Sequence, residues 1–320
     1  MKIRNIDLSD SAINQEHQAL HIPPLEDSRN STVIRSAIGV VFFTLVSLVI
    51  LGVVQLFNGS WEHGVSVIEV TLHSDMFWKA FFVGLLAQTI DGALGMAYGI
   101  TSTSFLLASG ASPALASASV HMAEVFTTGA SGVSHARLGN VDKKLFLRLL
   151  VPGILGGITG AIVVTQIDGN ILKPYITGYL LLMGLYVFAK AFKKKLAQRS
   201  GEAKHIAKLA FFGGFVDTSG GGGWGPVVTT TLVGTGHNPR TTIGTVNFAE
   251  FFLTLASATA LFVLVDESIW HVVVGLILGG LLAAPFAAVL CKKIAPRGLL
   301  ILVGVLIVAI SLFNLSKMFL

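Results

Sequence analysis

"HMAEVFTTGAS" at residues 121 to 131 sets an ionisable pair, His121 and Glu124, into a stretch otherwise built from small and apolar residues. "NFAEFFLTLAS" at 247 to 257 repeats the pattern with Glu250 in the same place. Sliding the chain on itself by 126 residues aligns 91 to 131 with 217 to 257 without a gap, and 14 of these 41 positions are identical. About three would match by chance at residue frequencies of roughly 5 to 8%. The matched pairs include Asp91 with Asp217, Gly95 with Gly221, Gly99 with Gly225, Gly110 with Gly236, Pro113 with Pro239 and Glu124 with Glu250, and Tyr98 with Trp224 is an aromatic match. Small apolar helices resemble one another by composition, but matched Asp, Glu and Pro at a single offset do not follow from composition. The chain carries a duplicated unit.

The duplicated unit sits in a membrane chain. Hydrophobic residues make up 53% of the 320 positions and charged ones only 12%, against about 25% in an average soluble domain. Residues 37 to 57, "AIGVVFFTLVSLVILGVVQLF", are uncharged and long enough to cross about 30 Å of hydrocarbon as a helix. Further spans are predicted at about 113 to 136, 145 to 166, 171 to 192, 239 to 265, 269 to 290 and 298 to 316. The first 32 residues lack the short basic start and small-residue cleavage site of a signal peptide, so the first apolar run is expected to be a retained anchor. A formal net charge of +5 invites a nucleic-acid reading, but the excess lies in short loops flanking apolar segments, which is the positive-inside pattern. Cys291 is the single cysteine, which excludes an internal disulfide.

Those loop charges set an expected topology. Lys190, Lys193, Lys194, Lys195, Arg199, Lys204 and Lys208 face one acid, Glu202, so the central loop reads as cytoplasmic, as do Arg137 to Arg148 and Lys292 to Arg297. The stretch 58 to 76 carries Glu62, Glu69 and Asp75 with no Lys or Arg, and Asp266 with Glu267 marks a second acidic loop; both are placed outside. Residues 77 to 110 must then start and end outside. Their halves, about 77 to 90 and 99 to 109, read as a re-entrant or short-helix hairpin broken at "DGALGMAYG". The second copy, 207 to 236, begins beside the basic loop and must start and end inside, so the two repeats are inverted. Inverted repeats with glycine-interrupted segments at matching positions point to a secondary transporter with its site near the midplane. Non-helical backbone such as "DTSGGGGWGP" (217 to 226) is tolerated at that depth only against protein or a water-filled cavity.

Several glycines let backbone approach a ligand, and free N–H groups at half-helix starts favour an anion; Pro226 suits such a start. No Gly-Lys-Ser/Thr follows the glycine run, so a phosphate loop has no support. In "GITGAIV" (157 to 163) the small residues read as tight helix packing. Glu124 and Glu250 are costly if charged in hydrocarbon, so each must face a cavity, pair, or carry a proton. They are either coupling or gating groups or protonated scaffold acids, and their duplication suits the scaffold. His121 lies three residues before Glu124 on one helix face. The second copy has Asn247 there and no Cys or His cluster completes a shell, so no metal is expected and hydrogen bonding to a polar substrate suits both residues. Asp91 and Asp217 open the breaks, where helix capping or a turn is the first reading. Tyr98 and Trp224 either border the cavity or pack. His121 beside Glu124 can relay a proton and Asn247 cannot, so Glu124 is expected to be the more functional of the two glutamates.

At "GLLAQTIDGALGMAYGITSTSFLLASGASPALASASVHMAE" (84 to 124) and "GGFVDTSGGGGWGPVVTTTLVGTGHNPRTTIGTVNFAE" (213 to 250) the sequence resembles the sulfite exporter TauE/SafE family, more loosely over about 78 to 316. Gly110 to Pro113 and Gly236 to Pro239 match the family's Gly-x-x-Pro turn after each glycine-rich break. The resemblance implies transport of sulfite, a sulfonate such as sulfoacetate, or a related sulfur compound across the cytoplasmic membrane. An oxyanion suits backbone donors and hydroxyls such as Ser102, Thr103, Thr229 and Thr230.

The expected architecture is an all-α polytopic membrane protein. It has a polar cytoplasmic N-terminus (1 to 32), an N-terminal transmembrane helix (33 to 57), an extracytoplasmic acidic segment (58 to 76), a first transporter repeat (77 to 192), a basic cytoplasmic loop (193 to 206) and a second transporter repeat (207 to 316). Each repeat is a broken hairpin followed by three transmembrane helices. Gly95, Met96, Tyr98, Gly99, Ser102, Thr103, His121, Gly221, Gly222, Gly223, Trp224, Thr229 and Asn247 are the expected substrate-binding set. Glu124, Glu250, Asp91 and Asp217 are the expected coupling or gating set. The expected partners are a small anionic substrate and the bilayer, with a homo-oligomer compatible; no cofactor, nucleic acid or enzymatic reaction is expected. An intramembrane enzyme using His121 and Glu124, or an anion channel, are the alternatives.

The loop charges make one prediction. With the 190 to 208 loop cytoplasmic, a cysteine introduced as Lys194→Cys should react with a membrane-impermeant thiol reagent only from the cytoplasmic side. Reaction only from outside would overturn the topology.

Overall fold

A computed structural model describes residues 31–57, 60–94, 96–192, 205–235, 237, 239–266, 269–293 and 296–319, and these are almost wholly helical. Most of the polar N-terminus, most of the basic loop of 193 to 206, and Gly95 lie outside the described residues. Helix α1 (Thr32–Phe57) precedes a shorter α2 (Trp61–Leu72). The first repeat follows as α3 (Asp75–Leu94), α4 (Tyr98–Ala108), α5 (Pro113–Arg137), α6 (Lys143–Gln166) and α7 (Gly169–Lys190). The second consists of α8 (Ile206–Gly220), a π-helical turn (Trp224–Thr229), α9 (Thr230–Gly234), α10 (Pro239–Leu264), α11 (Trp270–Lys293) and α12 (Pro296–Phe319). Each repeat is thus a broken hairpin followed by three long helices. Four of the helices, α1, α6, α7 and the Thr241–Leu264 part of α10, are long and apolar enough to cross a membrane.

Local chemistry sets these boundaries. Ser112 caps α5 by accepting from Leu115 N–H at 3.3 Å, with Pro113 in the first turn, and Asp142 caps α6 by accepting from Leu145 N–H at 2.9 Å. Two sequence expectations shift. The first arm of hairpin one is longer than the predicted 77 to 90, because the residues after Asp91 remain helical to Leu94. The acidic segment 58 to 76 contains a helix, α2, capped by Ser60 and folded back so that Trp61 stacks on Phe57 at 5.0 Å.

Packing interlocks the repeats. The first hairpin arm α3 lies against α11 of the second repeat, where Cβ atoms added at Gly84 and Gly275 would meet Leu276 O at 2.5 Å and Phe77 O at 2.6 Å. The matching arm α8 lies against α6 of the first repeat, where a Cβ at Gly160 would meet Phe215 O at 2.5 Å. Small residues thus let backbones approach closely in both seams. The cores follow the same exchange: one gathers Ile90, Tyr98, Leu180, Leu276 and Ile307, the other Phe146, Trp224, Val228, Phe248 and Phe251. Helix α1 sits at the periphery, buried only through Ile34, Ala37 and Val41.

The two breaks meet inside this frame. A Cβ at Gly99 would stand 2.8 Å from the Gly222 Cα, and one at Gly222 would lie 2.6 Å from Gly99 C and against Ile100 N. Gly222 has φ +140 and Gly221 φ +71, a region that favours glycine. The sequence places Gly99 and Gly222 at the substrate; in the structure they also carry the close approach of one chain segment to another. Gly222→Ala should therefore destabilise the folded protein by about 1–3 kcal/mol, the range for overpacking. Gly178→Ala, where nothing lies within 4 Å, should be neutral or slightly stabilising. Thermal melts of the two purified variants check this, and equal melting points would contradict it.

Candidate functional site

Backbone groups freed at a break need partners, and the duplicated aspartates supply them. Asp217 Oδ1 accepts from the N–H of Gly223 at 2.6 Å and of Trp224 at 2.9 Å. Asp91 Oδ1 accepts from Tyr98 N–H at 3.5 Å. Each acid thus reaches the residue seven positions on, and the capping reading holds in both copies. The exposed carbonyls are met from other helices: Thr103 Oγ1 donates to Gly221 O, and Tyr179 OH donates to Gly222 O at 2.8 Å. Ala97, at φ 107, is the one described non-glycine residue with positive φ, so the first break also holds its backbone in a costly conformation.

Between the breaks lies a tight cavity of about 10 Å³, on the scale of one water. Met96, Ala97, Tyr98, Gly99 and Ile100 line it from the first break, and Gly222, Gly223, Gly225 and Pro226 from the second. Four carboxyl groups complete the wall: Asp91, Asp217, Glu124 and Glu250. All four are buried. Glu124 Oε2 has no hydrogen-bond partner among the described residues. A buried carboxyl oxygen without a partner is costly.

His121 enters from α5 and is fully buried. Its Nδ1 lies 2.8 Å from Ser117 O, a carbonyl that can only accept, so Nδ1 carries a hydrogen. Its Nε2 lies 3.2 Å from Asp217 Oδ2. A neutral imidazole of this tautomer beside an ionised carboxylate would set two lone pairs against each other. The contact is a hydrogen bond when a proton lies between Nε2 and Oδ2. A hydroxyl chain surrounds it: Ser117 Oγ donates to Thr218 O at 2.6 Å, and Thr218 Oγ1 lies 3.4 Å from Nε2 and 2.8 Å from Ser257 Oγ. The ligand-capable atoms of His121, Glu124 and Asp217 lie within 4.8 Å of one another. Their types would suit a cation as well as a proton, a grouping that the spacing of His121 and Glu124 alone does not reveal because Asp217 comes from the other repeat.

The expected residues divide by place. Met96, Tyr98, Gly99, Gly222, Gly223 and the four acids line the cavity, and His121 adjoins it through Asp217. Thr103 and Gly221 bond each other across the crossing. Ser102, Thr229 and Asn247 are buried without lining it, and Ser102 Oγ, Thr229 Oγ1 and Asn247 Oδ1 have no described partner. Trp224 turns away: its Nε1 donates to Val246 O at 3.1 Å, and its ring covers Gly153 and Gly213. Of the two aromatic readings, bordering holds for Tyr98 and packing for Trp224. Tyr179 and Lys190 were missed, because α7 lies outside the matched segments. Lys190 Nζ reaches Met96 Sδ at 3.5 Å and Thr230 Oγ1 at 3.2 Å, bringing a cation to the edge of an acidic cavity.

Comparison with known proteins bears on these features. Residues 80–314 match the family model described as "Sulfite exporter TauE/SafE". A relative, the "Probable membrane transporter protein YtnM" of Bacillus subtilis (strain 168), is 47% identical over 242 residues, covering 72% of this chain and 79% of that protein. No solved structure matches. The matched span takes in both broken hairpins, the four acids and His121, and the chain belongs to the sulfite exporter TauE/SafE family of multi-pass membrane transporters.

Proposed function

We propose that the chain is a secondary transporter of a small sulfur-containing anion, such as sulfite or a sulfonate, and that the solute crosses where the two glycine breaks meet. The observation that carries this reading is the central cavity, walled by backbone of both repeats and by Asp91, Glu124, Asp217 and Glu250. The loop charges orient the repeats oppositely in the cytoplasmic membrane, with the N-terminus inside and the C-terminus outside.

An anion cannot share so small a space with four ionised carboxylates. At low dielectric the repulsion is worth many kcal/mol, so the wall must take up protons when the solute arrives. The His121 and Asp217 pair is placed to hold one, and Glu124 has an oxygen without a described partner beside it. Proton uptake and solute binding are thereby linked, which is proton coupling. A one-water cavity is too small for an oxyanion of several heavy atoms, so the breaks must part for passage. Gly99 against Gly222 is the contact that opens.

Purified protein in liposomes should move sulfite or a sulfonate without changing it chemically. Glu124→Gln keeps the hydrogen-bonding shape and removes the ionisable proton. It should retain solute exchange at equal pH while accumulation driven by a pH gradient falls by roughly tenfold or more, the loss expected when a coupled step is removed. His121→Asn should behave likewise, because it breaks the shared proton. Glu250→Gln, whose neighbour is Asn247, should be milder. Undiminished accumulation on a pH gradient in all three variants would return these residues to the scaffold, and a chemically altered product would favour an enzyme.

A further inference from the structure

A second cavity, of about 500 Å³, opens between the end of α4, the start of α7 and the end of α12. Its polar lining is Asn170, Lys173, Asn314 and Lys317, and among the described residues no carboxylate lines it. We propose that this vestibule is a binding site for a small oxyanion group, one step from the central cavity on the face that carries the Gly110 turn. Under the topology given above this is the extracytoplasmic face, and only the identity of the solute rests on the sulfur-anion reading.

The two lysines come from different helices. Lys173 lies in the second turn of α7 and is half-buried; Lys317 lies in the last turn of α12, with its Nζ 4.6 Å above the Phe313 ring. Asn314 is buried, and its Nδ2 donates to Ser104 O in α4 at 3.4 Å. That bond ties the vestibule to the half-helix whose opposite end, Tyr98 and Gly99, lines the central cavity. Helix α4 has 11 residues, so the two sites are separated by roughly 16 Å of helix. The nearby acid Asp168 is exposed and engaged as a cap, accepting from Asn170 N–H at 2.7 Å.

The other repeat carries a corresponding feature at the opposite end of α7. Lys190 lies in the last turn of α7 as Lys317 does in α12. It reaches Thr230, the residue 126 positions after Ser104 and so its match in the repeat. Both second arms of the broken hairpins are therefore met by an amide or ammonium group from the end of the third long helix of a repeat. A pair of lysines that merely extends to the lipid interface would not require a buried Asn314 anchored on α4.

The same chemistry describes a free sulfur oxyanion and a lipid phosphate, and one experiment separates them. In the full chain carrying Cys291→Ser and Ala108→Cys, the new thiol stands in the vestibule wall. In nanodiscs of zwitterionic lipid, a sulfonate-bearing thiol reagent should label it roughly tenfold faster than a trimethylammonium-bearing one, as expected in a cationic cleft. Lys173→Gln with Lys317→Gln should bring the two rates together, while Lys173→Arg with Lys317→Arg should preserve the preference. Millimolar sulfate slowing the anionic reagent, only when the lysines are present, identifies a free anion as the ligand. Protection that appears only with phosphatidylglycerol, and again only with the lysines, identifies a lipid headgroup. A charge preference indifferent to both lysines, or no protection by either anion, would overturn the site. None of these readouts needs transport, so failure to move sulfite would strike the functional reading and leave this one standing.

Discussion

Peptide groups that leave a helix inside a bilayer have no water to bond, and each one left unpaired costs several kcal/mol. The breaks of this chain meet that demand with the aspartate that opens each one and, at the second break, with groups borrowed from the first repeat. Asp217 caps Gly223 and Trp224; Thr103 of the first repeat and Tyr179 of α7 take the carbonyls of Gly221 and Gly222. The N–H groups of the second break are thus met from its own repeat and its carbonyls from the first. Exchange of partners in the long seams, α3 on α11 and α8 on α6, follows the same logic and holds the breaks in contact.

Capping with acids has an electrical consequence. The residues that close the breaks also bring negative charge to their meeting point, where Glu124 and Glu250 add two more carboxyl groups. Such a cluster cannot be fully ionised at low dielectric, and at its edge His121 Nε2 stands 3.2 Å from Asp217 Oδ2. In the proposed transport cycle the same acids serve both ends: they cap the breaks and take up the protons that admit an anion. Cations enter only at the margins, with Lys190 at one end of α7 and Lys173 with Lys317 at the other face.

Much of this was legible in the chain itself, for a physical reason. The 126-residue repeat fixes which residues do the same job twice, so the aspartate caps, the paired glutamates and the positions of the breaks could be read without coordinates. What could not be read is anything formed between repeats. His121 sits three residues from Glu124 in sequence, yet its partner is Asp217, 96 residues away. Gly222 lines the cavity, yet its close neighbours Ile100 and Gly99 come from the other repeat. Trp224 matches Tyr98 by alignment, but its indole packs into a glycine-lined seam that only the fold creates. Tyr179 and Lys190 lie on a helix with no motif, and nothing in their local sequence marks them.

The central claim is that solute and protons cross together at the meeting of the breaks. Its most direct test is a balance-point measurement on the wild-type protein in liposomes, in which a fixed sulfite gradient is opposed by a graded pH gradient until net flux stops. The account predicts a definite pH gradient at which flux reverses, shifting in proportion to the imposed sulfite gradient. Flux that follows the sulfite gradient alone, whatever the pH difference, would contradict it.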